Sequence, residues 1–172
     1  MHAARRSMGF VGLFPRWSGL LFVWAVAAAA ASLAQSPAMK LPGAGVFILP
    51  VNAGQSLLRQ CSRGTPANVS QFWNPSPEQI QKLESLLPQY VRHGADRNPN
   101  IPDNVEYHRQ YVGIVVDGKR LIYGNFYPAS VSDLFDERSM PVVVCDGSAS
   151  FWGVVFEPDS SAFFDLQVNG PV

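Results

Sequence analysis

Two cysteines, two late histidines and a scatter of carboxylates are the residues of this chain whose types could do chemistry. Cys145 stands beside Asp146, and His93 or His108 would be the base that turns it into a thiolate nucleophile. The same Cys145 and Cys61 would otherwise close a disulfide, or stay as free thiols. His93 and His108, with Asp96 and Asp103, have the composition of a metal site, but their spacing matches no common ligand pattern. They read better as a helix-end histidine and a strand histidine. Gly147-Ser148-Ala149-Ser150 lacks the second glycine of a nucleophile elbow and reads as turn chemistry. Glu78 and Glu84 lie six apart and share no helix face well, and Glu157, Asp159 and Asp165 gather around a turn. Neither group sets two carboxylates across a cleft, as glycoside hydrolysis requires. The chain also lacks a phosphate-binding loop, G-x-G-x-x-G and H-E-x-x-H. The residues therefore predict no catalytic set, no metal and no cofactor.

The N-terminus decides between the two readings of the cysteines. Arg5, Arg6 and Arg16 precede an apolar run from Gly19 to Ala31, and Ser32-Leu33-Ala34 follows in a small–x–small pattern. That is the layout of a secretory signal peptide cut after Ala34. A membrane-spanning helix wants roughly 20 apolar residues, and Arg16 blocks extension back through Phe10–Phe14. Pro15 and Arg16 separate the arginine pair from the apolar run, against a twin-arginine route, and no cysteine follows the cut to take a lipid. The expected residence is the periplasm or the medium, with membrane contact only through an uncleaved signal. An oxidising compartment disfavours a reduced nucleophile and favours the disulfide. Closing so long a loop is worth roughly 4.5 kcal/mol by the chain-entropy account. Removing the signal leaves ten basic residues against 13 acidic ones, about −3, which argues against nucleic acid as a partner.

The rest of the chain reads as one domain. Residues 35–45 are a Pro-, Ala- and Gly-rich flexible mature N-terminus, and 46–172 is long enough for a core. Val46–Val51 reads as a first short strand, and Ser56–Cys61 as one or two helical turns. Ser62–Pro75 reads as loop, with Trp73 expected to staple the helix that follows. Ser76-Pro77-Glu78-Gln79 is a capping box with proline at the first helical position. Ile80, Leu83, Leu86, Leu87, Tyr90 and Val91 form its apolar stripe, Gln81, Lys82, Glu84, Ser85 and Gln89 its polar face. Pro88 would kink or end the helix, and Gly94 would stop it. A polar loop over 95–106 comes next. Tyr107–Val116 and Lys119–Tyr127 then flank Asp117-Gly118 as a β-hairpin. After a connection over 128–140, further strands are expected at Pro141–Cys145, Ser150–Phe156 and Ala162–Val168.

This order predicts an α+β domain: one amphipathic helix on a curved antiparallel sheet of four to five strands, cystatin/NTF2-like in topology. Element order of this kind carries no function. Cys61-Ser62-Arg63, Pro66, Val69, Trp73 and Pro75, with Cys145-Asp146-Gly147, Phe151-Trp152-Gly153-Val154, Phe163, Asp165-Leu166 and Asn169-Gly170, resemble motifs of small exported bacterial proteins of uncharacterised function. The likeness covers about residues 57–170 and brings no activity with it. It implies that Cys61 and Cys145 belong to a shared architecture.

Aromatic residues are the most suggestive remaining feature. Most should be core, but Trp73, Tyr111, Tyr123 and Trp152 are candidates for an interaction surface. The expectation is a non-enzymatic exported binding, inhibitor or immunity-type protein, partnered by another exported or envelope protein or by a small ligand. The alternatives are a small enzyme with an NTF2-like pocket and a structural envelope component. The discriminating feature is what lines the space between the helix and the sheet.

Overall fold

The computed structural model describes residues 44–94 and 100–171. The signal region and most of 35–45 lie outside them. The described chain is an α+β domain with one long helix, α2 (Pro77–Gln89), and a six-stranded mixed sheet. The strands are β1 (Val46–Ile48), β2 (Val69–Trp73), β3 (Tyr107–Val116), β4 (Lys119–Pro128), β5 (Trp152–Glu157) and β6 (Ala162–Val168). They lie in the order β1-β3-β4-β5-β6. β1 and β2 share the outer edge of β3: β1 pairs in parallel along Arg109–Tyr111, and β2 antiparallel along Gly113–Val116.

Three expectations about strands are corrected here. The sheet is mixed rather than antiparallel, because the chain enters beside β3 in the same direction. Ser62–Pro75 was expected as loop, yet its last third is β2, which pairs with β3 despite the breakers before it. Pro141–Cys145 is not a strand. Val142 N donates to Gln110, and the carbonyls of Val142 and Val144 accept from Asn125 and Asn169 instead of a ladder. The helix begins as its sequence dictates: the Ser76 hydroxyl accepts from Gln79 N, and the Gln79 side chain accepts from Ser76 N. Asp117 and Gly118 both take positive φ in the tight turn joining β3 to β4, and the hairpin register runs unbroken from Tyr107↔Pro128 to Val116↔Lys119.

Period-two alternation divides the sheet into two faces. One face carries Tyr111, Ile122, Phe126, Trp152, Val154 and Phe156 against Ile80, Leu83 and Leu87 of α2. Phe126 and Trp152 stack with ring centroids 3.7 Å apart and planes 4° from parallel. Gly124 permits this, since a Cβ there would lie 2.8 Å from the rings of both Tyr111 and Phe126. The other face has no long helix among the described residues. Its hairpin end is apolar, with Val112, Ile114, Leu121, Tyr123 and Val155 under Leu49, Ala53 and Leu57. The last two come from a 3-10 turn (Val51–Ala53) and the short α1 (Gly54–Leu57).

The remaining third of that face lies under irregular chain from 137 to 146. Irregular chain over a sheet has backbone groups that no ladder pairs, and burying them unpaired is costly. The buried polar side chains of the described residues, Gln110, Asn125 and Asn169, all serve this purpose. Gln110 donates to the carbonyls of Glu137 and Met140 and accepts from Val142 N. Asn125 donates to Val142 O at 3.0 Å, and Asn169 to Val144 O and Asp146 O. Arg63 joins the amides from above, donating to Asn169 Oδ1 at 2.6 Å, to Asn125 Oδ1 and to the Tyr123 hydroxyl. The Cys61–Cys145 disulfide ties the same two segments, with Cα atoms 5.2 Å apart. Asn125→Leu would leave the Val142 carbonyl with only the long 3.5 Å bond from Gln60 Nε2, and one Arg63 donor without a partner, in a buried site. It is expected to lower urea-unfolding stability by about 3 kcal/mol, from the usual cost of orphaning buried polar groups, with the disulfide still formed by thiol titration.

Candidate functional site

The helix–sheet interface is packed with apolar side chains along most of its length and opens at one end. Pro88 has no N–H to give the Glu84 carbonyl, and the helix widens into a π turn at Tyr90–Gly94. Beyond it the chain returns at 101–107 to enter β3. Between these two walls lies a cleft of about 530 Å³. Leu87, Pro88 and Val91 line the helix side, and Ile101, Pro102 and Val105 the returning chain. The floor is sheet: Tyr107, Arg109, Phe126 and Trp152. Tyr107 meets Trp152 edge-on, with centroids 5.7 Å apart.

The inner end of the cleft carries a charged set. Arg109 grips Glu84 with two parallel bonds, Nε to Oε1 at 2.9 Å and Nη2 to Oε2 at 2.6 Å, and its Nη1 donates to Tyr107 O. The buried Tyr111 hydroxyl donates to Glu84 Oε1 as well. Glu84 thus accepts three hydrogen bonds, of the charge-assisted kind that fixes geometry. Burial pushes the Tyr111 hydroxyl well above its ordinary value, and the Glu84 carboxylate adds to the rise against the opposing Arg109. Burial works to lower the Arg109 guanidinium, but Glu84's hydrogen bond and charge outweigh it and its pKa is raised. Near neutral pH the set is a carboxylate, a guanidinium and a neutral phenol, with no net charge. Outside it, the cleft is rimmed by Arg92, Asp103 and Glu106, none in an ion pair among the described residues.

The residues singled out from the sequence are scattered. Cys61 and Cys145 form the disulfide, which is exposed on the face away from α2. Of the four aromatics considered as a surface, Tyr111 and Tyr123 are buried, and they face opposite sides of the sheet. They are not a surface, because alternation along the hairpin turns both into the two cores. Trp73 is half-buried. It packs against the core cluster that includes Ile80, its Nε1 donates to Ile114 O and its ring lies under Arg120 at 3.9 Å. Trp152 is buried, yet it contributes to the cleft floor. His93 is exposed, while His108 bonds Glu137 through Nδ1 at 2.8 Å on the far face of the sheet. Asp96 lies outside the described residues, and among those described no cluster of metal-ligating side chains occurs. Glu157 pairs with Lys119 at 3.1 Å rather than with another carboxylate.

Glu84 and Arg109 are the site residues that sequence reading missed. The signal was present: Glu84 is four residues after Ile80 and three before Leu87, so it lies within the apolar stripe rather than opposite it. Arg109 likewise alternates with Tyr107 and Tyr111. Comparison with protein-family models, curated proteins and solved structures returned no match. The class defined by fold and site is therefore an α+β domain with an open, aromatic-floored cleft.

Two outcomes test this account. Glu84→Leu would leave Arg109 without its counter-charge in a partly buried site. The expected loss is about 3 kcal/mol, at the low end for breaking a buried pair, with Arg109→Met in the same chain restoring part of it. Burial, the largest cause in each case, raises Tyr111, Tyr123 and Tyr127. Their contribution to stability is whole below about pH 10, the unfolded tyrosine value, and is lost as pH rises toward the folded-state values. Urea midpoints should hold steady to about pH 10 and then fall, with tyrosinate absorbance appearing alongside unfolding.

Proposed function

We propose that this chain is an exported, non-enzymatic binding protein of the inhibitor or immunity type, which takes a small ligand or a protruding group of an exported partner in the cleft beside α2. The observation that carries the reading is the cleft itself. A space of about 530 Å³ suits a small ligand, and its floor is set by the sheet. Its deepest carboxylate is held by Arg109 and Tyr111. A carboxylate so engaged is a poor general base, and a phenol raised well above its ordinary range is a poor acid near neutrality. Both groups suit the positioning of a ligand better than proton transfer.

Export is supported by the signal pattern of Met1–Ala34 and by a disulfide exposed to solvent, where a reducing compartment would open it. Among the described residues no helix is long and apolar enough to cross a membrane. The full chain, produced in a bacterial host with its own leader, should be recovered outside the cytoplasm, shortened and free of reactive thiols. Screened by amide NMR against a metabolite library, it should give hits whose shifts centre on Val91, Ile101, Val105 and Tyr107. Hits that cluster elsewhere, or a hit that is chemically turned over, would overturn the binding reading.

A further inference from the structure

The ion pair at the inner end of the cleft has two edges. Arg109 meets Glu84 side-on, through Nε to Oε1 and Nη2 to Oε2. The edge of Nε and Oε1 is closed. There the fully buried Tyr111 places its hydroxyl on Oε1 and against the guanidinium. Nη1 is engaged by Tyr107 O. The edge of Nη2 and Oε2 is open. A guanidinium has five N–H donors, and the second hydrogen of Nη2 meets no acceptor among the described residues. Oε2 accepts one bond, from Nη2, and keeps a further lone pair. Both side chains line the cleft, with 21 % of Arg109 and 13 % of Glu84 exposed.

A donor and an acceptor thus stand side by side, 2.6 Å apart. That spacing is close to the one between the oxygen and the nitrogen of a single carboxamide. An amide laid along this edge accepts from Nη2 with its oxygen and donates to Oε2 with its N–H, and both bonds are charge-assisted. A charged head group gains less. A carboxylate would set a second negative charge beside Glu84, and an amidinium a second positive charge beside Arg109. In a part-buried site both juxtapositions are costly. The walls that lead to the edge are apolar: Leu87, Pro88 and Val91 on one side, Ile101 and Val105 on the other.

We propose that the cleft binds a neutral carboxamide: an apolar, ring-sized body between the helix wall and the 101–105 wall, its amide oxygen on Arg109 Nη2 and its amide N–H on Glu84 Oε2. This rests on the cleft being the binding site and adds the ligand's chemical class. Glu84 and Arg109 are held by each other, by Tyr111 and by Tyr107 O before any ligand arrives. Little ordering is left for the ligand to do, which is the usual advantage of a preorganised site.

The experiment uses three ligands with one body and planar heads of one shape: 3-phenylpropionamide, 3-phenylpropionate and 3-phenylpropionamidine. At neutral pH they are neutral, anionic and cationic. Each is titrated into the mature protein by backbone amide NMR, with urea midpoints reporting that every variant is folded. The amide should bind about tenfold more tightly than either ion, as expected for hydrogen bonds to charged partners. Glu84→Gln keeps the shape of the pair and removes its negative charge, so Arg109 is left unbalanced and the acid should overtake the amide. The E84L/R109M double variant removes both partners. It should weaken the amide about tenfold, whereas propylbenzene, which brings no polar group, should bind it at least as well as it binds the wild type. Equal or tighter binding of either ion by the wild type would overturn the assignment. So would an order of affinities that Glu84→Gln leaves unchanged, an amide affinity that survives E84L/R109M, or a loss of propylbenzene alongside the amide. If none of the three binds while other library compounds shift Val91, Ile101 and Val105, the ligand class is wrong and the binding site stands. If nothing shifts those residues, both fail.

Discussion

The structure depends on how one face of its sheet is covered. Helix α2 covers the other face with side chains, its backbone bonded within the helix apart from its capped first turn and the Glu84 carbonyl opposite Pro88. The 137–146 segment has no such economy, and its carbonyls and amides must find partners in the sheet beneath. Gln110, Asn125 and Asn169 provide them, one from each of β3, β4 and the chain just after β6. Arg63 then binds the oxygens of Asn125 and Asn169 and brings the loop after α1 onto the same cluster. Its positive charge is met by neutral oxygens held in place by their own bonds to the cover. A fully connected buried polar network specifies one arrangement, because any shift leaves several groups unpaired at once. The disulfide lies at the outer margin of this network, joining segments that the amides have already brought together.

The same strand serves the cleft. Along β3, Arg109 turns toward α2 and Glu84, Gln110 toward the irregular cover, and Tyr111 back toward Glu84. Three consecutive residues thus anchor both layers, and the register of β3 against β4 fixes both sites together. A one-residue slip would send every one of these groups to the wrong face. The parallel pairing of β1 with Arg109–Tyr111 holds that stretch from its free edge. Positioning at the cleft floor therefore rests on the centre of the sheet.

Local signals were legible where they are self-contained. The capping box at Ser76, the Asp117-Gly118 turn, the period-two alternation of β3 and β4 and the last two strands all act through neighbours in sequence, and they form as read. The disulfide was legible from compartment and count. What was not legible depends on partners far along the chain. Val142–Val144 have strand composition, but the segment lies across the sheet face, where side chains of the sheet and of Asn169 take its backbone bonds in place of a ladder. Val69–Trp73 follow breakers, yet they pair because the outer edge of β3 is free there. The cleft escaped notice for a related reason. It is made by the end of a helix and a returning loop, and only Glu84 within its apolar stripe, facing an arginine on an alternating strand, hinted that a charged pair closes the helix–sheet interface.

The disulfide also has a topological meaning. It closes a covalent ring through β2, α2 and the β3–β4 hairpin, while β1 enters before the ring and β5 and β6 leave after it. The ring includes the returning wall of the cleft and all of the irregular cover but Asp146, parts of the chain without ladder hydrogen bonds. A single cut of the backbone anywhere between Ser62 and Val144 leaves one covalent molecule, and its two new ends remain tethered near where they were. Outside a cell, where proteases act on exposed irregular chain and no synthesis replaces the damage, such a nick is a local wound rather than the loss of a fragment.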